Sequence, residues 1–258
     1  MTKMEKRKID LNSDIGESFG VYKIGQDEEI LPYISSANIA CGFHAGDYNV
    51  MNKTVKMAID RGVAIGAHPG MQDLTGFGRR EMAVSADEVY NMIIYQINAL
   101  KGFIHIHGGS LHHVKPHGAL YNMAATNTVI AEAIAKAVYD TDAALILYGL
   151  ANSELIHAGK KYGLHVAEEI FADRTYQSDG TLSPRTFPDA VIHDKNIASA
   201  QIKRMIEDNL VTTVDGTEIP IHGDTVCVHG DGIHALNFVQ HLTEMFQEAE
   251  IKIESVSR

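Results

Sequence analysis

Short apolar runs recur along the chain, each giving way to a polar, glycine-bearing turn and then to a helical stripe. Run 9–11 ends on Asn12, Ser13 and Asp14, and run 34–41 ends on His44 and Asp47. Met51, Val55, Ala58 and Ile59 then share one helical face, with Gly62 as the stop. Run 63–67 ends on His68 and Pro69. Ser85 and Glu88 form a capping box for a helix striped by Val89, Met92, Ile93, Gln96 and Leu100. Run 111–114 ends on Lys115 and His117, and Ile130, Ile134 and Val138 mark the helix beyond. Run 143–148 ends on Gly149, before a short helix that stops near Gly163. Run 165–171 ends on Asp173 and Arg174, followed by a long loop containing DGTLSPR and a helix near 196–209. The stretch 211–221 predicts a hairpin turning at Asp215 and Gly216. Run 225–228 ends on His229 and Asp231, and a last helix covers 235–248.

Strands separated by helices predict parallel pairing through right-handed crossovers. About seven such units suit a closed or nearly closed β/α barrel, and 258 residues suit one such domain spanning 1–258. A doubly wound open sheet is the competing α/β architecture. Its dinucleotide-binding form needs GxGxxG after the first strand, where this chain reads DLNSDIGESFG.

Composition narrows the function. Hydrophobic residues make up 45% and charged residues 21%, ordinary for a globular protein with a sizeable core. A formal charge of −11 speaks against a nucleic-acid or anionic-membrane partner, which needs a basic face. Cys41 and Cys227 form no CxxC pair and read as reduced thiols of a cytoplasmic enzyme. The start, MTKMEKRKID, lacks the apolar stretch of a signal peptide, and no run is long enough to span a bilayer. P-loop, GxSxG and HExxH motifs are missing.

Sites in such folds form at the carboxyl ends of the strands. The residues there are Asp14, Glu17, His44, Asp47, His68, Lys115, His117, Asp173, Arg174 and Asp231. Asp14 has the chemistry of a metal ligand, a base or a substrate orienter, against a capping role. Gly42 and Gly46 around His44 allow close backbone approach, while Asp47 reads equally as a helix cap. His68, in GAHPG, suits a metal ligand or a general base. Lys115 and His117 lie two apart, so an extended chain turns both to one face, with Pro116 ending the pairing between them. A lysine there suits an oxyanion or phosphate, and a histidine suits proton transfer. His105, His107, His112 and His113 read as structural or exposed. Arg174 suits a carboxylate, against an ion pair with Glu168, Glu169 or Asp173. The loop with Arg185 reads as a lid or a solvated loop.

Taken in order, DLNSDIGESFG, NIACGFHAGD, GAHPGMQDLTGFGRR, VKPHGALYN, EEIFADRTYQSDGTLSPR and VHGDG resemble the LamB/YcsF family over nearly the whole chain. The resemblance implies an irregular seven-stranded β/α barrel similar to the glycoside hydrolase/deacetylase superfamily. It implies an ATP-dependent 5-oxoprolinase that opens the lactam of 5-oxoproline to glutamate, with ATP as cosubstrate and companion subunits B and C as partners. Deacetylases of that superfamily hold a divalent metal with one Asp and two His, for which Asp14, His68 and His117 are the candidates. Asp14, His44, Lys115 and His117 are then the expected catalytic residues. Asn12, Glu17, Asp47, Asp173, Arg174 and Asp231 are the expected substrate contacts. The competing functions are a metal-dependent deacetylase-like amide hydrolase acting on a carbohydrate, and a non-catalytic substrate-binding subunit.

Overall fold

The structure, a computed structural model, describes residues 7–229 and 235–257. Strands β1 (Lys8–Ile15), β2 (Ser36–Ala40), β3 (Ala64–His68), β4 (Leu111–Val114), β5 (Ile146–Leu150) and β6 (His165–Phe171) pair successively and in parallel. A short antiparallel hairpin, β7 (Leu210–Thr212) and β8 (Glu218–Pro220), stands apart from them. The seventh barrel strand, β9 (Thr225–His229), pairs in parallel with both β6 and β1 and closes the ring. The ring is irregular. The β3–β4 register shifts between Ile65 and Gly66, and β4 meets β5 through His113–Ile146 and Val114–Leu147. A further strand, β10 (Lys252–Ile253), adds to β1 from below and has no counterpart in the sequence expectations.

The helices are α1 (Asp27–Ile30), α2 (Tyr48–Arg61), α3 (Ala86–Ile106), α4 (Gly118–Thr126), α5 (Thr128–Thr141), α6 (Glu154–Tyr162), α7 (Lys195–Asp208) and α8 (Ala235–Glu248). Their ends follow local chemistry. Ser85 and Glu88 exchange hydrogen bonds across the first turn of α3, and Gly62 and Gly163 end α2 and α6 in the left-handed conformation. Among the described residues, no helix is long and apolar enough to cross a membrane.

The strands carry their apolar residues outward. Leu11, Ile39, Ala67, Val114, Leu147, Ile170 and Val226 join one buried cluster with Val55, Ile93, Leu100, Ile134 and Val239 of the helices. Strand alternation then sends the intervening residues into the barrel, and many of these are polar: Asp10, Asn12, Asp14, Ser36, Asn38, His113, Glu169 and Thr225. Asn12 and Asp14 therefore belong to β1 itself. An apolar run ending at residue 11 understates the strand, because the inner face of β1 is polar.

The lower interior is built around Asp10. Its carboxylate accepts from Ser35 and Ser36 at 2.6 and 2.7 Å, and from Thr225 and Tyr148 at 2.6 and 3.0 Å. Burial raises its pKa, and those four hydroxyls act against the rise. Below it Ile146, Tyr148 and Ala167 form a small apolar plug, capped by Val256. His113 stacks on Tyr148 with centroids 4.2 Å apart and bonds Asn38 through Nε2 at 2.7 Å.

Gly66 leaves the space that the His113 ring fills, since a methyl group there would lie 2.1 Å from Nε2. Gly66→Ala displaces a fully buried ring and its Asn38 bond. The expected loss is about 1–3 kcal/mol, read as a lower urea midpoint with unchanged slope. An unchanged midpoint would show that the barrel interior yields freely.

Candidate active site

Above the Asp10 layer, an ammonium occupies the barrel axis. Lys115 follows β4 and is 3% exposed. Its Nζ lies 2.8 Å from Glu169 Oε1, 3.0 Å from Asp14 Oδ1, 3.0 Å from Cys227 Sγ and 3.2 Å from Asn12 Oδ1. Burial pulls its pKa down, but Asp14, the Cys227 sulfur and Glu169 outweigh burial and hold it well above that of an ordinary lysine. These partners are fixed in turn. Asn12 donates to Glu169 at 3.0 Å and Thr225 at 2.7 Å, Asn38 donates to Asn12 and Asp14 at 2.7 and 2.8 Å, and Tyr121 donates to Glu169 Oε2 at 2.6 Å.

Beside the ammonium lie three imidazoles. The β3–β4 ladder runs on past both strands, with Lys115 N–H bonding Ala67 O and His117 N–H bonding Pro69 O. This extension carries His68 and His117 to one level. His68 Nδ1 donates to Lys115 O at 2.7 Å, and His117 Nε2 donates to Phe77 O at 2.8 Å. A backbone carbonyl accepts only, so each bond fixes a tautomer and turns the other nitrogen's lone pair inward. Those two nitrogens, His68 Nε2 and His117 Nδ1, face each other at 2.9 Å, and Asp14 Oδ2 lies 3.3 Å from the first. Two lone pairs at that separation repel unless a proton or a cation lies against them.

Glu17 Oε1 stands 3.6 Å from His117 Nδ1 and 3.4 Å from His44 Nε2. The donor atoms of Glu17, His44, His68 and His117 lie within 4.8 Å of one another. Borderline and hard donors of this kind suit a divalent transition metal. His44 is fully buried, stacks on His117 with centroids 3.7 Å apart, and has no hydrogen-bond partner at either ring nitrogen among the described residues. Gly78 permits this stack. Its φ is +63°, and a methyl there would meet His44 Cβ at 2.6 Å and His117 Cδ2 at 2.9 Å. Gln96 of α3 clamps the HPG turn by bonding both the N–H and the carbonyl of Gly70.

Asp14, Glu17, His68, Lys115 and His117 open onto a cavity of about 490 Å³. Arg79, Tyr121, Phe171, Arg174 and the stretch Pro184, Arg185, Thr186 also line it. Arg174 also supports the loop, its Nε donating to Ala190 O at 3.1 Å and its Nη2 to Ser183 O. Burial and the neighbouring Arg185 charge pull its pKa down to about 10.

The structure thus brings together Asp14, Glu17, His68, Lys115 and His117 at one cavity, with His44 packed behind. Other expected contacts lie elsewhere. Asp47 caps α2, accepting from Asn49, Val50 and Gly20 N–H groups at 2.8, 3.0 and 2.7 Å, and is no part of the cavity wall. Asn12 is sealed in the barrel interior beneath the cavity. Asp173 is half-buried, with its carbonyl bonded to Ile192 N–H, and does not line the cavity. Arg174 lines the cavity but turns its bonds to loop carbonyls, not to Glu168 or Glu169. Asp231 lies outside the described residues. His113, expected to be structural, is buried in the Asn38 bond, while His105 is exposed and His107 bonds Asn52 on the surface. Reading strand ends alone does not find Glu169, Tyr121, Asn38 or Cys227. For Asn38, Glu169 and Cys227 the signal available is a polar residue at every second position of β1, continued in the register of its neighbours, while Tyr121 lies on α4 and carries no such signal.

Burial holds His44 and His117 neutral, with pKa values well below the ordinary 6.5, and the neighbouring imidazoles add to the effect. An unfolded chain has no such bar, so below about pH 6.5 it binds protons that the folded chain refuses. Stability of metal-free protein is therefore full above about pH 6.5 and falls as pH drops below it. Urea midpoints between about pH 7.5 and 5 measure the slope, and His117→Asn should flatten it. A flat profile in the unsubstituted chain would contradict this burial.

The LamB/YcsF family model matches residues 9–258. The chain is 57% identical over 247 residues to the 5-oxoprolinase A subunit of Oceanobacillus iheyensis, covering 96% of each chain. It is 56% identical over 250 residues to the protein of that name from Bacillus subtilis, covering 97% of each. Among solved structures, the lactam utilization protein from Thermus thermophilus superposes with a TM-score of 0.91 at 42% identity, over 96% of this chain and 100% of that one. Matched from β1 to its last residues and similar in fold along its length, the chain belongs to the LamB/YcsF family.

Proposed function

We propose that this chain is the lactam-opening subunit of an ATP-dependent 5-oxoprolinase, converting 5-oxo-L-proline to L-glutamate with companion subunits B and C. The relatives' name, as A subunits of 5-oxoprolinase, supplies the substrate and the idea of partner subunits. The observation that carries the chemistry is the Lys115 ammonium 3.0 Å from Asp14 at the cavity floor, beside two imidazole lone pairs. Use of ATP as cosubstrate fits work in the cytoplasm.

A lactam carbonyl is a poor electrophile because its nitrogen donates into it. Phosphoryl transfer from ATP to the lactam oxygen leaves ADP and a phosphorylated imidate. Water then adds at the ring carbon, and the ring nitrogen takes a proton and leaves as the amine, giving γ-glutamyl phosphate. A second water releases phosphate and glutamate. Lys115 is placed to hold negative charge growing on the oxygen, since its ammonium is fixed before the reaction begins. Asp14 is placed to take the proton of the attacking water. His44, expected as the acid for the ring nitrogen, is fully buried, stacked on His117 and outside the cavity lining, so its part is to support His117 and to offer a ring nitrogen to the imidazole cluster.

A divalent metal fits the site. Asp14 and Glu169 hold the Lys115 ammonium, and the buried Glu17 carboxylate stands beside the imidazoles of His44 and His117. His68 and His117 present preset lone pairs, with Asp14 and Glu17 adjacent. Glu17, His44, His68 and His117, whose donor atoms converge, would hold the ion, with Asp14 beside His68. Such an ion supplies Lewis acidity for a bound water or carbonyl.

With both companion subunits present, Asp14→Asn and His117→Ala should each lower ATP-dependent glutamate release about 10²–10⁴-fold. Full turnover in both variants, with 5-oxoproline still bound, would favour the non-catalytic binding role. Release of an acyl group from a carbohydrate without ATP would favour the deacetylase. Separately, His68→Ala should bind Zn²⁺ or Mn²⁺ at least about tenfold more weakly by titration calorimetry. Equal binding would remove the metal from the proposal.

A further inference from the structure

One position in the apolar stripe of α3 is polar. Val89, Ile93, Ile97, Leu100 and Ile104 are buried there, and Gln96 is fully buried with them. An amide left unpaired at such a position is costly, and an apolar side chain of equal volume is not. Gln96 is paired. Its Oε1 accepts from Gly70 N–H at 2.9 Å, and its Nε2 donates to Gly70 O at 3.0 Å and to Met92 O at 3.2 Å. The Gly70 nitrogen shares one planar peptide group with Pro69 O. That oxygen accepts from His117 N–H at 2.8 Å. One rigid plane is thus held by α3 and in turn holds His117. The Gly70 backbone also lies against His44, where a methyl group at Gly70 would meet Nδ1 at 2.6 Å. His68 ends β3 two residues earlier.

We infer that Gln96 is a positioning residue for the imidazole cluster, acting on His117 through the Pro69–Gly70 peptide and on His44 and His68 through the HPG turn. Gln96 does not line the cavity, so it acts through these groups and not on a ligand. The role rests on the proposed lactam-opening site, whose histidines it serves, and carries that site one layer outward into α3. The geometry favours this role over simple packing. Packing at a buried stripe position asks for volume alone and gives no reason for two bonds of opposite polarity converging on one glycine. Together those bonds fix both the place and the tilt of the turn. His117 Nε2 reaches Phe77 O at 2.8 Å only while its own backbone keeps its place. A drift of about half an ångström is enough to misdirect a ligand group.

The test compares Gln96→Met and Gln96→Glu in the full chain. Methionine is close in volume and removes both Gly70 bonds. Glutamate keeps an acceptor for Gly70 N–H in either protonation state, so it preserves the link to His117. The deciding measurement is the imidazole nitrogen NMR spectrum of metal-free protein at about pH 8, above the ordinary histidine range. Gln96→Met should replace the single Nε2–H pattern of His117 with mixed tautomers, leaving the exposed His105 and His165 unchanged. Gln96→Glu should keep most of the single pattern. Zn²⁺ affinity should fall about tenfold or more in the Met protein and less in the Glu protein. With both companion subunits present, kcat should fall in the same order, while KM for 5-oxo-L-proline stays within about twofold. Where Gln96→Met does not fold, Gln96→Asn, one methylene shorter, takes its place with the same outcomes. An unchanged His117 pattern in the folded protein overturns the inference, and so does an altered pattern with Zn²⁺ affinity and kcat both unchanged. An altered pattern in a chain that binds no Zn²⁺, and whose unsubstituted complex releases no glutamate, leaves the positioning role standing and sinks the lactam-opening reading.

Discussion

Lys115 places an ammonium on the axis of a closed barrel, out of water and against Asp14, Glu169, Asn12 and Cys227. A buried charge of that kind persists only if its surroundings are fixed to match it. Much of the interior answers this demand. Asn12 and Asn38 orient the carboxylates, Tyr121 holds the far oxygen of Glu169, and Thr225 ties Asn12 to Asp10. Removing one member leaves its partners buried and unmatched, so the network acts as a unit.

The polar interior also decides where the apolar core lies. The strands contribute outward to a shell shared with the helices, and the barrel lumen contributes a separate, hydrogen-bonded layer. The site is the upper end of that lumen. Its residues sit on strand ends and short extensions held by continued ladder bonds, so His68 and His117 inherit the rigidity of β3 and β4. Phe77 O and the Gly78 turn come from a loop, yet they are fixed by the same histidine they position.

Much of this was legible in the chain. Runs of apolar residues located all seven barrel strands, and the capping box and left-handed glycines located helix ends. Strand ends pointed to Asp14, His68, Lys115 and His117, which the fold does bring together. Three kinds of information were not local. Asp47 has the same sequence signature as a ligand and as a cap, and only the α2 backbone distinguishes them. Glu169 lies within a strand whose neighbours include Glu168, and the register with β9 decides which of the two faces Lys115. Arg174 looked like a ligand group, but the carbonyls it holds come from a loop 9 and 16 residues away. Strand β10 is two residues long, too short for periodicity to reveal.

The bonds that fill the lumen join distant parts of the chain. Asp10 meets Tyr148 and Thr225 across separations of 138 and 215 residues, and Asn12 meets Glu169 across 157. None of them can form until the ring closes on itself, so closure is a late and cooperative event in folding. A chain caught before that event turns carboxylates, amides and hydroxyls toward water on the open inner face, with the apolar face already covered by helices. Partly folded chains that expose apolar surface stick to one another. Here the polarity that serves the site also makes the inner face of an unclosed barrel hydrophilic.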